Sequence, residues 1–90
     1  MNIQRKIVVR GKVQGVGFRN ATWRKAMELG IRGSVRNLDD GSVEILASAT
    51  DKEFKVFENW CCVGPSHARV DRLEISELDQ TGFTDSSIDD

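Results

Sequence analysis

The chain has 90 residues, 39% of them hydrophobic, and its 13 lysines and arginines against 14 aspartates and glutamates give a formal net charge of −1. A chain this short makes one small globular domain over residues 1–90, burying roughly 60–65% of its unfolded surface. So small a net charge excludes bulk attraction to nucleic acid or anionic lipid and requires any anion site to be local, and the chain lacks the apolar run of about 18 residues that a membrane-spanning helix needs.

Residues 1–6 lack the apolar core of a signal peptide, so the cytoplasm is the expected compartment. Residues 3–10 alternate, with Ile7 and Val9 on one face and Lys6, Val8 and Arg10 on the other, which predicts a first strand. Then Gly11-Lys12-Val13-Gln14-Gly15-Val16-Gly17-Phe18-Arg19 crowds three glycines into one turn that leads into a helical pattern. Glycines permit φ > 0, so consecutive N–H groups can converge on one point as a nest. The unpartnered N–H groups and positive dipole end of the following helix suit a phosphate, and Arg19 offers a planar fork for two of its oxygens. From the residues alone, such a turn is as consistent with a tight turn as with an anion cradle. The spacing of Gly11, Gly15 and Gly17 excludes the dinucleotide fingerprint, and no Gly-Lys-Ser/Thr follows for a nucleotide triphosphate.

Phe18, Thr22, Ala26 and Leu29 recur at helical spacing, with Gly30 as C-cap and Trp23 as a partly buried packing residue beside the stripe. Residues 31–38 and 42–48 read as two strands, joined through Leu38-Asp39-Asp40-Gly41 as a hairpin in which Gly41 takes φ > 0. Thr50 and Glu53 form a capping-box pattern, and Phe54, Phe57, Trp60 and Cys61 make the apolar stripe of a second helix, read as core. Gly64-Pro65-Ser66 stops it, and His67 falls in the connection as a solvated residue. Residues 69–78 predict a fourth strand, where Val70 is out of phase with Leu73 and Ile75 and marks a bulge near Asp71. Adjacent Cys61 and Cys62 diverge on a helix and lack Cys-x-x-Cys spacing, so both are expected as free thiols.

The order is β-α-β-β-α-β with a short fifth C-terminal strand possible, an α+β, ferredoxin-like arrangement of two helices on one face of an antiparallel or mixed sheet. If the third strand pairs antiparallel with the first, the second runs parallel to the first. Asn37 then reaches the edge where the cradle opens. The polar groups there are Arg19, Asn37 and backbone N–H groups, with no activated nucleophile and no His/Asp/Glu/Cys cluster of metal-ligand spacing. Such a site can position and stabilise charge but has little with which to move protons. That selects a leaving group needing no general acid, such as the carboxylate of a mixed anhydride.

Gly11-x-Val13-Gln14-Gly15-Val16-Gly17-Phe18-Arg19 resembles the signature of the acylphosphatase family, and Gly33-Ser34-Val35-Arg36-Asn37-Leu38-Asp39-Asp40-Gly41-Ser42-Val43-Glu44 resembles its second block. A shorter match, Gly64-Pro65-Ser66-x-Ala68-Arg69-Val70-Asp71, sits at the family's spacing, and the likeness covers roughly residues 7–74. The resemblance implies hydrolysis of acyl phosphates to a carboxylate and inorganic phosphate. It implies that Arg19, with the backbone N–H groups of Gly15, Val16, Gly17, Phe18 and Arg19, binds the phosphoryl group, and that Asn37 holds the attacking water. No cofactor or metal is expected, and inorganic phosphate is expected as product and inhibitor of a monomer with no nucleic-acid or membrane partner. The chain departs from the family at its end, where Asp85, Asp89 and Asp90 stand on an acidic stretch whose field would oppose phosphate binding if it lay near the site. The competing reading is a non-catalytic ferredoxin-like module that binds phosphate or another anion.

Overall fold

The computed structural model describes residues 2–78 and the backbone of residues 87–89. In chain order the elements are β1 (Ile3–Lys12), α1 (Phe18–Glu28), β2 (Arg32–Asn37), β3 (Val43–Ala49), α2 (Asp51–Val63), β4 (Arg69–Glu77) and β5 (Ser87–Asp89). The strands lie side by side in the order β4-β1-β3-β2-β5. β3 is antiparallel to both β1 and β2, so β1 and β2 run the same way and end at one edge of the sheet. That edge carries the cradle and Asn37.

Alternation decides which face is covered. In register, Ile7 lies opposite Ile45 and Val9 opposite Val43, while Val35 pairs with Ile45 across β2 and β3. These side chains are buried beneath Phe18 of α1 and Phe54, Phe57 and Cys61 of α2, each large apolar group contributing about 1.5–3 kcal/mol on burial. The aromatic stripe read from α2 is therefore core, with Trp60 half-buried and its ring centroid 5.9 Å from that of Phe18. The opposite face is polar, with Arg36 paired to Glu44 at 2.9 Å and Arg72 to Glu74 at 2.9 Å.

β1 runs two residues further than the alternation predicts, because β4 keeps pairing with it. Arg10 faces Arg72, the register then shifts, and Gly11 faces Val70 and Lys12 faces Arg69. Asp71 is thus the extra residue of a bulge, where the alternation of β4 breaks. The bulge also corrects the reading of Gly11. That glycine belongs to the strand, at φ 138°, and a Cβ on it would lie 2.1 Å from the carbonyl oxygen of Arg69. Close approach of β4 requires it, and the cradle is confined to the turn after Val13.

β5 pairs parallel with β2, placing Asp89 opposite Arg36, one residue before Asn37. The end of the sheet's last strand therefore points toward the cradle edge, whereas Asp85 and Asp90 lie outside the described residues.

α2 begins on a complete capping box. The backbone N–H of Glu53 donates to Thr50 Oγ1 at 3.1 Å, and the N–H of Thr50 donates to Glu53 Oε1 at 2.9 Å. Thr50→Ala removes one side of it and should cost about 1 kcal/mol. For a domain of this size that is a fall of about 4–8 °C in the melting temperature. An unchanged melting curve would show that the box is geometric only.

Candidate functional site

The two helices start in opposite ways. α2 closes its N-terminus with its own side chains and carries Asp51 and Glu53 in its first turn, while α1 has Gly17 as N-cap, no side-chain cap and no acidic residue in its first turn. Backbone donors at a helix start need partners. At α1 they open on a cavity of about 260 Å³ lined by Val13, Gly15, Gly17, Phe18, Arg19, Asn20 and Asn37. None of these seven residues is a carboxylate.

Gly15 and Gly17 adopt φ of 75° and 81°, and among the described residues no non-glycine, Val16 included, has positive φ. Alternation of left-handed and ordinary backbone turns successive N–H groups to one side, the nest geometry that receives an anion. A Cβ at either glycine would meet no atom within 4 Å, so backbone conformation rather than crowding selects glycine there. Arg19 is the second residue of α1, half-buried, and lines the same cavity.

Asn37, the last residue of β2, reaches that wall from the other side. It pairs with Val43 of β3 and is half-buried, and its Oδ1 has no hydrogen-bond partner among the described residues. A buried amide oxygen left in that state costs about 1–3 kcal/mol. A half-turn about the Cβ–Cγ bond exchanges the carboxamide oxygen and nitrogen, so either can serve a ligand in the cavity.

A model of the acylphosphatase family matches residues 5–88 of the chain. The chain belongs to the acylphosphatase family. An acylphosphatase of Mannheimia succiniciproducens is 47% identical over 79 residues, 88% of each chain, and one of Marinobacter nauticus is 49% identical over 80 residues, 88% of this chain and 87% of the other. The solved structure of an acylphosphatase from Coxiella burnetii superposes with a TM-score of 0.90 at 32% identity, covering 98% of this chain and 93% of that one. The two stretches that resemble the acylphosphatase blocks are the two that meet at the cavity.

Of the five residues expected to cradle the phosphoryl group, Gly15, Gly17, Phe18 and Arg19 line the cavity together with Asn37, and Val16 lies in the turn between them without lining it. Phe18 is fully buried. Two further residues, given no role in the sequence, stand at the site. Asn20 lines the cavity one position after Arg19, and Gln14 donates from Nε2 to the carbonyl oxygens of Leu38 at 2.7 Å and Ser42 at 2.8 Å. A polar residue between Val13 and Gly15 was the available signal for Gln14, but its partners lie 24 and 28 residues away. His67 is exposed and absent from the lining, Cys61 is buried and Cys62 exposed, both free. Burial pushes the Cys61 thiol well above its ordinary range. Among the described residues no helix is long and apolar enough to cross a membrane, and no group of three or more His, Cys, Asp or Glu side chains is placed to hold a metal ion.

The hairpin that carries Asn37 is held by charge as well as by its ladder. Asp40 Oδ1 accepts from the backbone N–H of Ser42 at 2.9 Å and from its hydroxyl, and Asp40 Oδ2 pairs with Arg10 Nη1 at 2.9 Å. These contacts, the Ser42 hydroxyl first, hold the Asp40 carboxyl down to about 2. Arg10, then Arg72, holds Glu74 below its ordinary value in the same way. A carboxyl depressed in the folded state stabilises above its unfolded value near 3.9, and that contribution is lost as pH falls through the folded value. The urea midpoint of Asp40→Asn should therefore lie below that of the parent at neutral pH. The gap should close between about pH 4 and pH 2, with Glu74 leaving part of the acid slope in both. A gap independent of pH would show that Asp40 acts by shape alone.

Proposed function

We propose that the protein hydrolyses acyl phosphates to a carboxylate and inorganic phosphate, and that one observation carries this reading: Arg19, the Gly15-Gly17 nest and Asn37 line one cavity without a carboxylate among the lining residues. The backbone N–H groups of Gly15, Val16, Gly17, Phe18 and Arg19, with the guanidinium of Arg19, hold the phosphoryl oxygens. Charge spreads over those oxygens in the transition state, so donors fixed by the fold act there without reorganising. Asn37, on the opposite wall, holds a water in line with the breaking P–O bond.

The water oxygen bonds to phosphorus, the bond from phosphorus to the acyl oxygen breaks, and its electron pair leaves with the carboxylate. A carboxylate is a weak base and leaves without a proton. The proton lost by the water passes to a phosphoryl oxygen of the substrate, so no general base is needed. We place this activity in one domain spanning residues 1–90, in a cytoplasmic monomer working without metal or cofactor and without nucleic-acid or membrane partner. Inorganic phosphate, as product, competes with substrate.

The test uses hydrolysis of a synthetic aromatic acyl phosphate. Arg19→Gln should lower kcat by roughly 10³-fold, by analogy with other arginines that stabilise a transferring phosphoryl group. Arg19→Lys should recover little, since a point charge does not reproduce two parallel hydrogen bonds. Asn37→Ala should keep phosphate affinity within a few-fold while kcat falls by about 10²–10³. Turnover should persist in a chelator. A chain that binds phosphate but releases no carboxylate would instead be an anion-binding module, and activity lost to a chelator and restored by metal would contradict the metal-free mechanism.

A further inference from the structure

We propose that Gln14 is a positioning residue, whose carboxamide sets the separation between the phosphate cradle and Asn37. The inference rests on the roles proposed above for Arg19 and Asn37. It starts from the sheet order, in which β3 separates β1 from β2. Neighbouring strands lie about 4.8 Å apart, so the strands leading to the cradle and to Asn37 are roughly twice that apart and share no ladder hydrogen bond. The ladders connect the two strand ends only through β3.

Gln14 spans this gap. It lies in the turn just before Gly15, and its Nε2 meets Leu38 O at 2.7 Å and Ser42 O at 2.8 Å. Leu38 directly follows Asn37, and its N–H donates to Ser42 O at 2.9 Å, so the two carbonyls form the neck of the hairpin. A primary amide has two N–H donors on one nitrogen, and here each meets one side of the neck. A carboxylate at this position would turn oxygen toward two carbonyl oxygens, and a hydroxyl would offer one donor. Gln14 is half-buried, so water does not substitute freely for the pair. The atoms that receive these bonds are one residue from the group proposed to hold water, and the group that gives them is one residue from the nest. Misplacement of a reacting group by about 1 Å can cost 10²-fold in rate.

A residue that only stabilises the fold would lower the melting temperature and leave turnover per folded molecule intact. A positioning residue acts through Asn37, which a double-mutant cycle detects. Gln14→Met keeps the length of the side chain and removes both donors. It should lower kcat by about 10-fold to 10²-fold, with the Kd for inorganic phosphate changed by less than about threefold. In the Asn37→Ala background the same substitution should lower kcat by less than about twofold, since the group it positions is gone. If Gln14→Met does not fold, Gln14→Asn, which keeps both donors on a stem one methylene shorter, is taken through the same cycle with the same non-additivity expected. Equal loss of kcat in both backgrounds, or full kcat in the single variant, would overturn the role of Gln14 while leaving Asn37 in place. Full turnover in Asn37→Ala alone would overturn the underlying reading, and the role of Gln14 with it.

Discussion

The antiparallel pairing of β3 with both of its neighbours is the constraint on which the site depends. Because β1 and β2 each oppose β3, they must run parallel to one another and finish at one edge. The turn after β1 and the last residue of β2 then face each other across the cavity. The register is fixed by burial: a slip of one residue would turn Ile7, Val9, Val35 and Ile45 to the polar face. The packing of an apolar core against two helices is therefore also what aims Asn37 at the cradle.

The same economy is visible at the helix starts. Thr50 and Glu53 close the N-terminus of α2. The start of α1 has a glycine where a capping side chain would stand, and the turn before it holds a second glycine of positive φ, Gly15. The charge supplied is local and fixed, which suits a chain whose net charge is close to zero. It also explains how chemistry can proceed with few titratable groups nearby: the reaction has to be one in which holding charge is enough.

Much of this was legible in the residues because it is local. Alternation located β1 to β4, the capping box located α2, and the mismatch of Val70 with Leu73 and Ile75 located the bulge at Asp71. Arg19 and Asn37 could be brought to one edge by the order of elements once the third strand was paired antiparallel with the first. What was not legible depends on pairing between distant segments. Gly11 looks like part of the cradle until β4 is seen to approach it. The extra length of β1 follows from the register beyond the bulge. The two bonds of Gln14 reach the hairpin from 24 and 28 residues away, with no periodicity or spacing to announce them. The parallel pairing of β5 with β2, which puts Asp89 beside Arg36, likewise has no local signature in a polar, acidic stretch.

In the mechanism proposed above, backbone N–H groups of one turn, rather than scattered surface cations, receive the phosphoryl group. Amide chemical shifts followed while inorganic phosphate is added test it most directly. Gly15, Val16, Gly17, Phe18 and Arg19 should shift most and saturate together with a single Kd, while Asp51 and Glu53 at the closed start of α2 stay in place. Shifts spread over exposed lysines and arginines without saturation, with the five cradle amides unmoved, would contradict it.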